Sequence, residues 1–123
     1  MLSPIAYGLA VVLDLLILFI GYRFLTQPRA AAAGYGVPAE HGDAAVYLTI
    51  KGWRDLTYGV MGLALLFFVG ARAEAWFMLV AAIMPFADTV IVLRNGGAKA
   101  VAFGVHFATA VAVLISSALL FLV

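Results

Sequence analysis

Four apolar stretches, each close to the length that a bilayer demands, take up nearly all of this 123-residue chain. In hydrocarbon, backbone amides and carbonyls must find partners inside their own segment, which a helix provides. Runs of about 20 apolar residues therefore predict membrane-crossing helices. The expected spans are residues 4–26, 44–70, 75–93 and 98–122. Gln27-Pro28 closes the first. Arg72 and Glu74 mark the turn between the second and third, and Arg94-Asn95-Gly96-Gly97 ends the third. Residues 28–43 form the one substantial connection. Gly34, Gly36, Pro38 and Gly42 make it read as an irregular loop, with Asp43 as the N-cap of the next helix. Short connections make the helices antiparallel neighbours. The expected fold is all-α: a single domain, a polytopic membrane protein, an antiparallel bundle of four transmembrane helices.

Composition agrees. Hydrophobic residues are 67% of the chain and charged residues 11%, with a mean hydropathy of +1.16, which suits an integral membrane protein and leaves no extramembrane domain. A net charge of +1 provides no basic patch for nucleic acid. The absence of cysteine excludes disulfides, thiolate catalysis and cysteine-held metal. A cleaved signal peptide is the competing reading of the first stretch, but the stretch is too long and no basic residue precedes it. Loop Arg29, Arg94 and Lys99 outnumber Arg72 on the other side. The positive-inside rule then places both termini outside a bacterial cytoplasmic membrane.

Against this background, five ionisable side chains stand out: Lys51, Arg54 and Asp55 on the second stretch, Asp88 on the third and His106 on the fourth. Such residues are rare in a bilayer and mark a functional site by default. Measured from the cytoplasmic helix ends at the α-helical rise, Arg23 and Asp88 lie about 6–8 Å in, Lys51 and His106 about 10–12 Å, and Arg54 and Asp55 about 15 Å. Four helices thus deliver polar groups to one layer. On a helical wheel Tyr47, Lys51, Arg54, Asp55, Tyr58 and Gly62 share a face, and Phe103, His106, Thr109 and Ala110 share another. Asp14 and Arg23 lie on opposite sides of the first helix, which leaves open which of them joins the site. A stripe of Ala100, Gly104, Ala108, Ala112 and Ser116 suits close helix packing, either within the bundle or in a homo-oligomer through Gly104, Ala108 and Ala112.

Each feature has a plainer explanation. The charges could form an ion-pair network that only locks the fold, and His106 alone reads as a core histidine. Beside Asp88 or Asp55, however, a histidine is a plausible proton carrier, because imidazole titrates near physiological pH. No cofactor is implied. Haem lacks a second histidine within a span. Zinc on His106, Asp88 and Asp55 has the right ligand types, but Lys51 and Arg54 already supply positive charge. Gly34-Tyr35-Gly36 has no Thr-Val before it and no pore helix, so it is not a potassium filter. His41 falls in the loop, where it is expected to be solvated.

The runs Gly21-Tyr22-Arg23-Phe24-Leu25, Pro28-Arg29-Ala30-Ala31, Gly34-Tyr35-Gly36-Val37-Pro38, Lys51-Gly52-Trp53-Arg54-Asp55 and Pro85-Phe86-Ala87-Asp88, followed by His106, resemble the small membrane proteins grouped as domain of unknown function 4267. More loosely, they resemble the DoxX-like four-helix proteins, some of which are associated with quinone-linked oxidation. The first resemblance implies that Arg23, Lys51, Arg54, Asp55, Asp88 and His106 matter, and Asp14 is not among them.

The leading expectation is an intramembrane polar pocket for a small, mostly apolar ligand such as a quinone, isoprenoid, sterol-like compound or lipid. Arg23, Lys51, Arg54, Tyr58, Trp53 and Phe103 would bind it, with Tyr22 and Phe86 adding wall. In an enzymatic version Asp88 or Asp55 with His106 performs acid–base work such as isomerisation or cyclisation, and the 28–43 loop acts as a lid. The alternatives are a proton-coupled transporter or efflux subunit, and a structural or accessory membrane subunit whose charged face docks a partner helix.

Overall fold

The computed structural model describes residues 1–38 and 42–123 as helices joined by short turns, with no strand among the described residues. His41 lies outside the described residues. Five helices follow in chain order: α1 (Leu2–Thr26), α2 (Pro28–Tyr35), α3 (Gly42–Ala64, prolonged by a π-helical turn over Leu65–Val69), α4 (Ala71–Arg94, interrupted at Ala82) and α5 (Lys99–Phe121, with a π-helical turn over Ala102–Phe107). By length and composition α1, α4 and α5 are each able to cross a membrane, which makes this a membrane protein. Large apolar side chains on the outer surface, among them Val12, Phe68, Val80 and Ile83, suit contact with lipid rather than water.

The connection after α1 differs most from its sequence reading. Pro28 opens a second helix, where a missing N–H costs nothing. Gly36 closes it in the left-handed conformation, at φ 94°, while the Val37 amide donates back to the Ala32 carbonyl at 3.1 Å. A side chain on Gly36 would also press on Val92 and Val101 at 3.0 Å. The glycines that suggest an irregular loop therefore act partly as a helix stop. Ala31 and Ala32 are buried against Phe24, anchoring α2 to the bundle.

The closest helix contact is between α1 and α3. A Cβ on Gly21 would lie 2.8 Å from both the Gly52 carbonyl and the Leu56 amide, and one on Gly59 would lie 2.9 Å from the Asp14 carbonyl. Backbones that approach this closely gain dispersion contacts, a main source of helix association in lipid. The facing pairs Leu18–Gly59, Gly21–Leu56 and Leu25–Gly52 also define an antiparallel register. In that register Thr26 is level with Lys51, and Gly8 with Val69. The two helices thus overlap over about 28 Å, one bilayer thickness. Residues 42–50 of α3 project beyond the end of α1. Distances counted from each helix's own end therefore do not share one origin: Arg54 is level with Arg23, about one turn from the end of α1.

Polar side chains on the helix surfaces are satisfied locally. Thr26, Thr49, Thr57, Thr89 and Thr109 each donate to the carbonyl four residues back, and Ser117 donates across from α5 to the Ala75 carbonyl of α4 at 2.7 Å. The small-residue stripe of α5 splits: Gly104 and Ala108 are exposed, Ala112 is half-buried and Ser116 is fully buried.

Because the atoms facing Gly21 are backbone, they cannot swing aside. Gly21→Ala is expected to destabilise the protein by about 1–3 kcal/mol, read as a lower melting temperature in detergent. Gly104→Ala, with nothing within 4 Å of the added carbon, should leave the melting temperature of the isolated chain the same or raise it slightly.

Candidate functional site

Tyr35, at the end of α2, is the centre of the polar layer. Its hydroxyl donates to Asp88 of α4. Its carbonyl accepts a hydrogen bond from Nε2 of His106 of α5 at 2.6 Å. Its ring lies 4.2 Å from the imidazole and beneath the Lys51 ammonium, 4.4 Å from centroid to Nζ. Lys51 also stands over Phe24 of α1 at 4.6 Å and forms a 2.6 Å ion pair with Asp55 one turn along α3. One tyrosine thus joins residues from every other helix. The sequence reading takes Tyr35 as part of a rejected filter motif and of one run that carries the family resemblance, without a role; its one physical signal is a lone aromatic at the end of a Pro-initiated, alanine-rich segment.

The bonding fixes proton positions. A carbonyl can only accept, so Nε2 of His106 carries a hydrogen, and in the neutral ring Nδ1 is left as an acceptor. Burial first, and then the negative charge of Asp88, push the Tyr35 phenol above its ordinary pKa. It is therefore a neutral donor under all physiological conditions. Tyr35 and Asp88 together form a buried hydrogen-bonded pair, and Lys51 sets a positive charge over the same ring.

Local structure aims these groups. Pro85 has no N–H to continue the ladder, and the regular helix is interrupted at Ala82, three residues before it; Asp88 lies one turn beyond Pro85. In α5 the wider π turn over Ala102–Phe107 contains His106, which is only 3% exposed. Such turns occur often at functional sites. They also displace residues from an ideal wheel. Phe103, expected beside His106, is half-exposed and stacks edge-on with Phe107 at 6.1 Å.

These groups open onto a cavity of about 790 Å³. Its polar lining includes Arg23, Lys51, Arg54, Asp55, Asp88 and His106, with Tyr35 and Tyr58. Its apolar wall includes Ile17, Phe19, Ile20, Phe77, Met78 and Val113. Trp53 and Phe103 are not in the lining. Trp53 is 62% exposed and faces a shallow outer groove with Thr57. Tyr22 and Phe86 are also outside the lining, the first exposed and the second against Phe107. Arg23 and Asp14 both line the cavity, at opposite edges of an α1 face built on Leu13, Leu16, Ile17, Ile20 and Phe24.

Asp14 has a second role. Its carboxyl fills the space above Gly62, where a Cβ would collide with it, and lies close enough to Glu74 for the two acids to interact electrostatically. Glu74 is completely buried, and neither of its oxygens has a donor among the described residues. The sequence reading puts Glu74 in a turn. The turn is in fact made by Gly70, at φ 138°, so α4 starts at Ala71 and Glu74 falls within its first turn. Among the described residues no group of three potential ligands is close enough to hold a metal ion.

With Tyr35→Phe, Asp88 loses its donor and the imidazole keeps its carbonyl. The cost should be about 1–3 kcal/mol, measurable as a drop in melting temperature. Wild type and Tyr35→Phe should meanwhile give matching tyrosinate absorbance titrations on a per-tyrosine basis for the exposed phenols, because Tyr35 contributes no ionisation in the accessible range.

The family model described as Domain of unknown function (DUF4267) matches residues 15–120, a stretch that includes Tyr35, Glu74 and every charged residue of the cavity except Asp14. No curated protein and no solved structure matches the chain.

Proposed function

The chain belongs to the DUF4267 family, and we propose that it holds a small, mostly apolar molecule with one polar end inside the membrane. The observation that carries this reading is the cavity itself. Its volume of about 790 Å³ falls within the range of small-molecule sites, and its few polar groups converge at one end of an apolar wall, the usual makeup of such sites. Quinones, isoprenoids, sterol-like compounds and single-chain lipids all have this form. The looser DoxX-like resemblance favours the same four-helix setting.

In this reading α3 is the fourth span. Its overlap with α1 matches a bilayer, and its charged residues, which lower its hydropathy, face the cavity or the interface rather than lipid tails. Both termini lie outside and the Tyr35 layer lies towards the cytoplasm. Where chemistry follows binding, Asp88 with Tyr35 moves the proton, the free Nδ1 of His106 is the second base, and Lys51 offsets developing negative charge. Asp55 is committed to Lys51 and serves as its anchor.

Proton-coupled transport is the second reading. It draws on Asp14 and Glu74, two buried carboxyls on α1 and α4 without a basic partner among the described residues. Buried ionisable groups of this kind mark proton relays in other membrane proteins, and Asp14 borders the cavity.

Native mass spectrometry of gently extracted protein tests the binding reading and gives the oligomer mass in the same spectrum. A defined adduct that is not a phospholipid, lost in Asp88→Asn while the protein stays folded, is the expected result. A protein that is empty, or that carries only mixed phospholipid, removes support for the pocket and shifts weight to transport.

A further inference from the structure

We propose that the polar end of the bound molecule is an anionic oxyacid group, a carboxylate or a phosphate, and that Arg23 and Arg54 hold it. The inference rests on the pocket reading above and makes it specific. In the register set by Leu18–Gly59 and Leu25–Gly52, Arg23 on α1 and Arg54 on α3 stand level with each other, and both line the cavity. Two arginines at one backbone level on adjacent helices, Arg23 half-buried and Arg54 exposed between the cavity and the outer groove, bring several forked N–H donors to this end of the cavity, and such donors match carboxylate or phosphate oxygens.

The remaining charges at this end are already engaged. Lys51 is paired with Asp55 at 2.6 Å, and Asp88 takes the Tyr35 hydroxyl. Among the described residues, Arg23 and Arg54 have no carboxylate within ion-pair distance. Three cations therefore face two carboxylates here, and the surplus is on the two arginines. Asp14, the remaining acid of the cavity, is nine residues from Arg23 along α1, about 13 Å away, too far to neutralise it.

Depth supports the assignment. Both arginines lie about one turn from the end of α1, near the level where lipid headgroups begin, while the apolar wall of Ile17, Ile20, Phe77 and Met78 leads deeper. A single-chain amphiphile would thus place its head between the guanidiniums and its tail along the wall. Arginines at this level also snorkel to interfacial water without any ligand. A neutral probe of the same tail separates the two cases.

The test uses full-length protein in a non-ionic detergent, with palmitate, hexadecyl phosphate and hexadecanol as probes of equal chain length, their affinities compared by equilibrium binding. The expected result is that at least one anionic probe binds about tenfold or more tighter than hexadecanol, as a charge-assisted hydrogen bond provides. Which of the two binds best distinguishes carboxylate from phosphate. Arg23→Gln and Arg54→Gln should each weaken the anionic probe several-fold more than they weaken hexadecanol, and Arg23→Lys should retain part of the preference. Circular dichroism and size exclusion establish that the variants are folded. If hexadecanol binds as tightly as both anions to wild type, the anionic head is overturned and the pocket stands. If none of the three probes binds to folded wild type, the pocket reading fails, and this inference fails with it.

Discussion

The close approach of α1 to α3 determines the rest of this structure. Hydrophobic burial does little to hold helices together in a bilayer, since lipid tails are as apolar as leucine. The contact is made by dispersion between backbones that Gly21, Gly52 and Gly59 allow to come within a few ångströms. Glycine lowers helix propensity, so a chain that places three at this contact gives up local stability for a fixed register. That register places the carboxyl of Asp14 over Gly62 and sets Arg23 level with Arg54. The α1–α3 pair is therefore the reference against which the other helices place their polar groups.

Upon this pair, α2 solves a second problem. Lys51, Asp55, Asp88 and His106 come from three helices, and a charge without a partner in this environment is costly. The tyrosine at the end of α2 satisfies several of them together: its hydroxyl goes to Asp88, its carbonyl to His106 and its ring to Lys51. A loop without structure would leave its own backbone groups unpaired at the bundle surface. A two-turn helix stopped by Gly36 pairs them and holds Tyr35 in one position. The same segment borders the cavity through Ala31, Gly34 and Tyr35, so displacing α2 would uncover Asp88 and His106 at once.

Much of this was legible in the sequence, for physical reasons that differ from residue to residue. The apolar spans, the helical class and the convergence of Lys51, Asp55, Asp88 and His106 follow from hydropathy and from the cost of charge in lipid. The placement of Phe103 does not, because a π turn breaks the constant angle per residue on which a wheel depends. Trp53 adjoins Arg54 in sequence, but its ring lies on the outer side of α3. Glu74 was assigned to a turn because charge commonly marks a helix boundary. Here Gly70 makes the turn and the carboxylate points inward. That Arg54 is level with Arg23 cannot be read by counting from helix ends, because α3 runs past the end of α1. Tyr35 left almost no trace, since a tyrosine in a short alanine-rich segment has the same pattern whether it docks or is solvated.

The cavity has a polarity of its own, and this constrains any function more than its volume does. Arg23 and Arg54 are at the end near the α1 terminus, whereas Asp14, beside the buried Glu74, is about 13 Å further along. An amphiphile entering between the helices meets positive charge where it would leave its head and a carboxyl beyond the reach of that head. The wall between the two is mostly apolar, so one orientation is strongly preferred over the reverse. A carrier that must release its cargo on both sides gains little from such asymmetry unless the two ends change charge in turn. Among the described residues the Asp14–Glu74 pair is placed to do this, because two neighbouring buried carboxyls with no described cation paired to them cannot both remain charged in hydrocarbon. A binding site or an enzyme needs no such change: a fixed orientation brings the reacting end of the ligand to Tyr35, Asp88 and His106, and the polarity of the cavity is then sufficient as it stands.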